Sequence, residues 1–260
     1  MNRGSTGAVT SELPPLRARV TRVRNLLARS LGHPALSCRM RVVITGANRG
    51  IGLALARAYL EAGHDVHATA RDVASATALR ALASGRLVVH ALDVRDEASC
   101  RALGEALGDA PIDLLVSNAG AGRDAADEPA AILAIFDTNA VGPLRVVRAL
   151  GENIRAARGK IVLLTSALGS MATNTEGGAY AYRMSKAALN MAGCNLAHDF
   201  RPSGVAAVLV HPGWVRTDMG GPSAPLSAEV AASHLVALID TLTLADSGRF
   251  YHADGTPLPW

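Results

Sequence analysis

The feature that most constrains the fold is a regular alternation of short apolar runs with helix-forming segments from residue 41 onward. Seven runs predict strands, at 41–45, 65–70, 86–93, 113–119, 160–166, 205–213 and 249–252. Six segments between them predict helices, at 51–62, 73–83, 96–107, 128–157, 180–200 and 227–243. Because most of the strands are continuously apolar, they predict a parallel sheet with helices on both faces. We therefore expect a single α/β domain over 40–260, with a Rossmann-type, doubly wound, mainly parallel seven-stranded sheet.

Residues 1–39 differ from the rest of the chain in charge. They contain seven arginines, no lysine and one acid, or +6, so a formal net charge of +4 leaves −2 for the remainder. This basic N-terminal extension has three open interpretations: a disordered tail, an upstream start with the true start at Met40, or a functional segment. A functional segment could be an organelle transit peptide or could bind an anionic membrane surface. The excess charge gives no reason to expect a nucleic-acid surface on the domain.

Composition narrows the classes of function. Aromatic residues make up only 3% of the chain, which argues against modules that stack nucleic-acid bases. Cys38, Cys100 and Cys194 are widely spaced and form neither a metal motif nor a disulfide framework, so no metal site is predicted. They fit a reducing compartment, and we expect a cytoplasmic protein. No apolar run approaches the roughly 20 residues that span a membrane, so stable membrane insertion is not expected.

The segment TGANRGIG at 45–52 follows the first predicted strand and opens the next helix. In a doubly wound sheet this turn is where phosphate groups bind, at the N-terminus of the helix. Gly46, Gly50 and Gly52 would let the main chain approach a pyrophosphate closely. The spacing also fits an ordinary glycine-rich turn. No Lys-Ser or Lys-Thr follows the glycines, which argues against a Walker phosphate loop.

The stretch YAYRMSKAAL at 180–189 contains two tyrosines and one lysine. Its composition favours a helix, on which residues four apart share a face. Tyr182 is therefore predicted beside Lys186, whereas Tyr180 points elsewhere. An ammonium beside a phenol stabilises the phenolate and makes the phenol a better acid near neutral pH. Taken alone, such a pair is more often two solvated surface neighbours.

Together, the glycine spacing and the Tyr182–Lys186 pair resemble the short-chain dehydrogenase/reductase family over roughly residues 40–260. The segments ALDV, SNAG, FDTNAVGP, LLTSALGS and HPGWVRTDM follow in the family's order, although Ser117 stands where the family's NNAG begins with asparagine. Within the family, the chain is most similar to C-factor-like reductases, which are related to small carbonyl reductases. The segments GGAYAYRMSKAALNM and HPGWVRTDMGGPSAPLSAEVAA and the ending GRFYHADGTPLPW carry this closer likeness.

The resemblance implies hydride transfer between a nicotinamide and a carbonyl or alcohol carbon. It implies that Tyr182 donates a proton to the developing alkoxide while Ser166 holds the same oxygen. Lys186 would lower the pKa of Tyr182 and bind the nicotinamide ribose, and Asn139 would hold a water that relays protons to Lys186. Each residue has a plainer alternative: Ser166 could simply end a strand, Asn139 could cap or kink its helix, and Lys186 could be solvated.

The resemblance also implies a set of cofactor-binding residues, in which Asp93 contacts the adenine ring. Besides Tyr182 and Lys186, the set consists of Thr45, Gly46, Asn48, Arg49, Gly50, Ile51, Gly52, Arg71, Asp93, Val94, Asn118, Ala119, Gly120, Pro212, Gly213, Val215 and Thr217.

Two arginines favour NADP(H) as the cofactor. NAD-binding sheets place an acid at the end of the second strand, whereas NADP-binding sheets place basic residues there. The second strand ends HATARD, which puts Arg71 at or beside that position, and Arg49 in the glycine turn is also basic. If the strand were one residue longer, Asp72 would bind the ribose and NAD(H) would be favoured.

The leading hypothesis is an NADP(H)-dependent carbonyl reductase or alcohol dehydrogenase that acts on a small molecule. The alternative is a dinucleotide-binding signalling or regulatory protein of the C-factor type with little or no turnover, because fold does not determine function. The set Asn139, Ser166, Tyr182 and Lys186 favours the enzyme, since a sensor does not need all four. The sequence does not name the substrate, and it is compatible with a homodimer or a homotetramer.

Overall fold

The computed structural model describes residues 39–82, 84–122 and 127–260. The predicted extension at 1–39 lies outside the described residues, apart from Arg39. The strands are β1 (Arg41–Ile44), β2 (Asp65–Ala70), β3 (Leu87–Ala91), β4 (Leu114–Ser117), β5 (Lys160–Leu164), β6 (Ala206–His211) and β7 (Phe250–His252). The α-helices are α1 (Gly50–Glu61), α2 (Thr77–Arg80), α3 (Glu97–Leu107), α4 (Pro129–Phe136), α5 (Gly142–Ala157), α6 (Tyr180–Phe200) and α7 (Ala228–Thr241).

The seven strands form one sheet in the order β3-β2-β1-β4-β5-β6-β7, and every neighbouring pair is parallel. The chain moves outward from β1 to β3 and then crosses back to place β4 on the other side of β1. This reversal opens a crevice at the carboxyl ends of β1 and β4, which is where doubly wound sheets bind their ligands. The predicted fold class is thus confirmed, and the sheet is parallel throughout.

Both faces of the sheet are covered, as the continuous apolar strands predict. On one face Val42 and Ile44 pack in a cluster with Leu55 of α1 and Leu238 of α7. On the other face Val43 belongs to a second cluster formed with α3, α5 and α6. Alternate residues of a strand point to opposite faces, so a strand buried on both faces has apolar residues at every position.

Two predicted helices differ in the structure. In the predicted segment 73–83, the described residues 73–82 contain only the short α2 as helix, because the Asp72 carboxylate accepts the N–H of Ala74 at 2.9 Å and begins a turn there. The predicted segment 128–157 is helical from Pro129 to Ala157, but a π-helix at Asp137–Val141 separates α4 from α5. Short π-helical insertions of this kind are frequent at functional sites.

One helical stretch of the described residues, Pro129–Ala157, is long and apolar enough to cross a membrane by length and composition. The expectation that no apolar run approaches that length therefore needs correction. The apolar side of this stretch has another role in the structure, because Val146, Leu150 and Ile154 are buried in the core beneath α5.

Candidate active site

Three of the four predicted catalytic residues lie around the carboxyl end of β5. Ser166 follows β5 by two residues, and Tyr182 and Lys186 occupy the first two turns of α6. The fourth, Asn139, lies in the π-helix between α4 and α5. All four side chains belong to buried residues. Because β5 pairs with β4, its carboxyl end lies next to the strand ends where the chain reverses.

The beginning of α6 separates the two tyrosines. Tyr180 is 60% exposed, whereas Tyr182 is 8% exposed and faces the protein. The Nζ atom of Lys186 lies 5.7 Å from the centroid of the Tyr182 ring and donates to the Leu164 carbonyl oxygen at 3.0 Å. Burial lowers the pKa of Lys186 to about 8. The buried amino group of Lys186, whose charged form is disfavoured by burial, therefore lies on the face of α6 that carries Tyr182.

The segment after β5 carries Ser166 and packs on α6 at Lys186. The Ser166 hydroxyl oxygen accepts the N–H of Leu168 at 3.1 Å, which begins a 3-10 turn at Ala167–Gly169. In this bond the hydroxyl oxygen is only an acceptor. Its O–H group can therefore donate a separate hydrogen bond to another oxygen. A Cβ on Gly169 would lie 2.8 Å from the carbonyl carbon of Lys186, so only glycine lets this turn pack so closely on α6.

Asn139 joins the loop after β4 to α6. Its Oδ1 accepts the N–H of Ala121 at 2.8 Å, and its Nδ2 donates to the Ala121 carbonyl oxygen and to Ser185 Oγ, both at 3.0 Å. The Ser185 hydroxyl in turn donates to the Tyr182 carbonyl oxygen at 2.8 Å. The amide thus holds the framework of the site, and the water that the family resemblance implies at Asn139 stays a prediction.

Two supporting residues, Ser185 and Asn190, were absent from the predicted set. Asn190 Oδ1 accepts the Thr165 hydroxyl at 2.7 Å, and Asn190 Nδ2 donates to the Gly169 carbonyl oxygen at 3.2 Å. Asn190 is buried and stands four residues after Lys186, on the helix face that carries the tyrosine and the lysine. The same spacing argument could have found it.

The glycine turn interlocks with the end of β4. Thr45 Oγ1 accepts the N–H groups of Asn118 and Ala119, both at 3.0 Å. Asn118 Nδ2 donates to the carbonyl oxygens of Thr45 and Gly46, both at 2.8 Å. Gly46 has a φ of +65°, and a Cβ on Gly52 would lie 2.5 Å from Asn118 Nδ2. These glycines are therefore required by packing within the protein itself.

The N-terminus of α1 has the features of an anion-binding helix end. The N-cap residue Arg49 makes no side-chain capping bond, and the first turn of α1 contains no acid. The first N–H groups of a helix and its dipole attract anions, so this end of α1 is suited to phosphate. The predicted residues Asn48 and Ile51 flank Arg49 and Gly50, and the Asn48 side chain is exposed.

The loop after β6 lies against the glycine turn. A Cβ on Gly50 would lie 3.0 Å from Thr217 Cγ2, and the guanidinium of Arg49 forms an ion pair with Asp218. Both partners of this ion pair are mostly exposed. Pro212, Gly213 and Val215 lead into the loop; Gly213 has a φ of +90°, and Val215 is buried.

Arg71 and Asp93 lie at the ends of β2 and β3, beside the crevice. Arg71 is exposed and follows the last residue of β2 directly. The Asp93 carboxylate forms a salt bridge with Arg95 at 2.8 Å, and hydrogen bonding to that guanidinium lowers the pKa of Asp93 to about 2. Val94 is buried against Gly142, where a Cβ would lie 2.8 Å from Val94 Cγ2.

Gly120 completes the predicted set. A Cβ at this position would lie 3.3 Å from Asn139 Oδ1 and 3.9 Å from Lys186 Nζ. Gly120, in the loop after β4, thus lies beside Asn139 and Lys186, where a side chain would crowd the Asn139 amide and contact the lysine.

Comparisons with known proteins agree with this geometry. The family described as short chain dehydrogenase matches residues 40–225. C-signal of Myxococcus xanthus is 46% identical over 159 residues, which are 58% of this chain and 93% of that protein. A 1-hydroxy-2-glutathionyl-2-methyl-3-butene dehydrogenase of Rhodococcus sp. (strain AD45) is 36% identical over 84% of this chain and 99% of that protein. The NADPH-bound carbonyl reductase from chicken fatty liver superposes with a TM-score of 0.80 at 31% identity, covering 85% of this chain and 99% of that one.

Proposed function

The chain belongs to the short-chain dehydrogenase family, and from that premise we propose that it is an NADP(H)-dependent oxidoreductase that interconverts a carbonyl group and an alcohol. The observation that carries the proposal is the placement of Tyr182, Lys186 and Ser166 around the carboxyl end of β5. A buried phenol beside a buried ammonium, with a hydroxyl close by, is suited to general acid catalysis on an oxygen atom.

In the reductive direction we assign each side chain one task. Ser166 would donate its hydroxyl proton in a hydrogen bond to the carbonyl oxygen and hold it in place. Tyr182 would transfer its phenolic proton to the same oxygen as negative charge develops there, leaving a phenolate. The ammonium of Lys186 would stabilise that phenolate, because an opposite charge nearby favours the ionised form. A bound reduced nicotinamide would supply the hydride.

The phenolate must recover its proton from solvent. Asn139 already uses its amide to hold Ala121 and Ser185. We therefore propose that a relay water near Lys186 binds to main-chain groups of the π-helix, with the Asn139 side chain keeping that segment in place.

The end of β2 supports NADP(H) over NAD(H). The strand ends at Ala70, so Arg71 is the next residue, and its exposed guanidinium is suited to bind a 2′-phosphate. The Asp72 carboxylate is engaged by the N–H of Ala74, which leaves it less suited to hold a ribose. The chicken reductase is described as NADPH-bound, which agrees with this assignment.

Exposed apolar side chains on the two loops beside the site suggest the kind of carbonyl compound. Met171 lies on the loop after β5 and is 77% exposed, while Trp214 and Met219 lie on the loop after β6. Large apolar side chains on such loops favour a substrate with an apolar body.

Cys100 and Cys194 are free thiols, which agrees with the cytoplasmic location that we propose.

A second candidate function is supported by the likeness to C-signal. That relative is 46% identical over a little more than half of this chain. A dinucleotide-binding signalling protein could retain the crevice and the glycine turn without turning over a substrate.

Two matched variants decide between these functions. Tyr182→Phe removes one hydroxyl and keeps the buried ring, so we expect carbonyl reduction to slow by roughly 10²- to 10⁴-fold. NADPH affinity should hardly change, because the glycine turn and Lys186 remain. Tyr180→Phe is the control, since Tyr180 lies on another helix face and is 60% exposed.

The measurement is NADPH oxidation over a panel of aldehydes, ketones, quinones and keto esters. Full turnover in Tyr182→Phe together with loss in Tyr180→Phe would refute the assignment. NADPH binding without turnover in the unchanged protein would favour the signalling function.

A further inference from the structure

The segment after β7 turns back and runs along that strand in the opposite direction. The N–H of Leu258 donates to the Phe250 carbonyl oxygen at 2.9 Å. The ring of Trp260 stacks on the ring of Phe250, with centroids 5.5 Å apart and planes at 23°. We call residues 253–260 the strap. Because β7 is the last strand of the sheet, the strap covers its outer edge.

The strap reaches the loop that follows the catalytic serine. The main-chain oxygen of Trp260 accepts the N–H of Ala172 at 2.9 Å and the hydroxyl of Ser170 at 3.0 Å. Ser170 is only 3% exposed. Hydrogen bonds shielded from water in this way are stronger than exposed ones. One oxygen atom of the strap thus fixes two positions of the loop.

The inner side of the same segment is fastened to α6. Asn190 holds the Thr165 hydroxyl and the Gly169 carbonyl oxygen, and Gly169 packs directly on Lys186. Ser166 stands between these two attachments, and Ser170 follows Gly169 immediately. Residues 165–173, which we call the serine segment, are therefore held by α6 from inside and by the strap from outside.

We propose that the strap positions Ser166 for the reaction and, by fixing the serine segment, forms part of the outer wall of the substrate pocket. Residues 167–179 connect Ser166 to the helix of Tyr182, so a carbonyl compound that reaches both side chains would lie beside this connection. Trp260 is in this sense a positioning residue, since it acts on the reacting atoms only through the serine segment. The inference rests on the function proposed above.

The test removes Trp260 from the full chain. We expect turnover of a carbonyl substrate to fall by roughly 5- to 50-fold, because small displacements of a catalytic group are costly. The dissociation constant of NADPH should stay within about twofold, since the strap contacts neither the glycine turn nor Arg71 in the contacts described. Trp260→Phe keeps an aromatic ring and the main-chain oxygen, so it should restore most of the turnover.

Two further variants test whether a loss of turnover comes from the contact between the strap and the serine segment or from a general loss of structure. Ser170→Ala removes one of the two bonds to the strap without shortening the chain, together with the bond that the Thr173 N–H donates to the same hydroxyl at 3.3 Å. We expect turnover to fall by a few-fold. Thr241→Val is the control: it removes the bond from the Thr241 hydroxyl to the Leu238 carbonyl oxygen, at 2.7 Å, at the far end of α7. It should leave turnover unchanged.

Amide hydrogen exchange tests the strap independently of turnover. Without Trp260, the amides of residues 169–173 should exchange faster than in the unchanged protein. Unchanged exchange at these amides, or turnover within twofold in both the Trp260 deletion and Ser170→Ala, overturns the proposal. If the unchanged protein reduces no carbonyl compound, the proposed function fails, and the exchange experiment still shows whether the strap holds the serine segment.

Discussion

Lys186 should titrate near pH 8 in the cofactor-free protein, far below an ordinary lysine. Burial against β5 lowers its pKa from 10.5 to about 8. That difference corresponds to about 3 kcal/mol against the charged form, at about 1.4 kcal/mol for each tenfold change. The hydrogen bond to the Leu164 carbonyl oxygen, at 3.0 Å, offsets only part of the lost hydration.

The direction of the effect on stability follows from proton binding. Because the folded pKa lies below the unfolded one, the unfolded chain binds more protons between pH 8 and 10.5. The free energy of unfolding due to this group therefore rises with pH across that window, and the penalty is fully present below pH 8. Lys186→Met removes the penalty, so relative to the variant the unchanged protein should gain about 3 kcal/mol across the window.

The assay is unusually direct because the sequence contains only two lysines, Lys160 and Lys186. Lysine labelled with ¹³C at Cε gives two signals in a pH titration followed by NMR, and Lys160→Met assigns them. Lys160 lies at the opposite end of β5, where its Nζ donates to the Ile239 carbonyl oxygen at 2.8 Å. Urea unfolding of the unchanged protein and Lys186→Met at several pH values gives the second readout.

A Lys186 midpoint at pH 10 or above would refute the reasoning, and so would a difference in unfolding free energy that does not vary with pH. Either result would mean that water reaches the ammonium in the folded protein. In that case Lys186 would be an ordinary solvated lysine.

Three further perturbations test the cofactor crevice. Arg71→Asp should weaken NADPH binding by roughly 10- to 150-fold and spare NADH, and equal affinity of the unchanged protein for both dinucleotides would contradict this. Asp218→Asn removes the ion pair with Arg49, so we expect it to strengthen NADPH binding. The gain should be no more than about fivefold, because exposed ion pairs are weak. Fluorescence titration measures the affinity, and weaker binding in the variant would contradict this prediction. Gly52→Ala should lower the free energy of unfolding of the cofactor-free protein by about 1–3 kcal/mol, because the new Cβ would lie 2.5 Å from Asn118 Nδ2. A variant as stable as the unchanged protein would disprove this prediction.

Local patterns predicted the fold and the family well. Apolar runs locate each strand within about two residues at either end, since burial on both faces leaves a continuous signal. Spacing on one helix separates Tyr182 from Tyr180, and the structure places them on different faces. The family prediction is confirmed by the match over residues 40–225. The roles of individual residues stay predictions.

Features that depend on distant contacts were not predicted. The π-helix around Asn139 has a sequence that also suits an α-helix, and its long-range partners Ala121 and Ser185 are found only in the folded chain. The contact between Ser170 and Trp260 joins residues 90 positions apart. Likewise, Arg49 is suited by its charge to a phosphate, and no local pattern shows that it pairs with Asp218.

The interlocking of Gly46 and Gly52 with Asn118 has a consequence for how descendants of such a chain would change. A descendant protein that lost the proposed hydride transfer would still need both glycines, because the first turn of the cofactor-free protein cannot pack without them. Nothing in the packing of β1 and β4 would preserve Tyr182 and Lys186 in the same way. If the proposed reaction were lost, we expect the tyrosine and the lysine to be substituted before the two glycines. A glycine turn alone would then indicate common ancestry. A retained tyrosine–lysine pair would indicate a reaction that is still under selection.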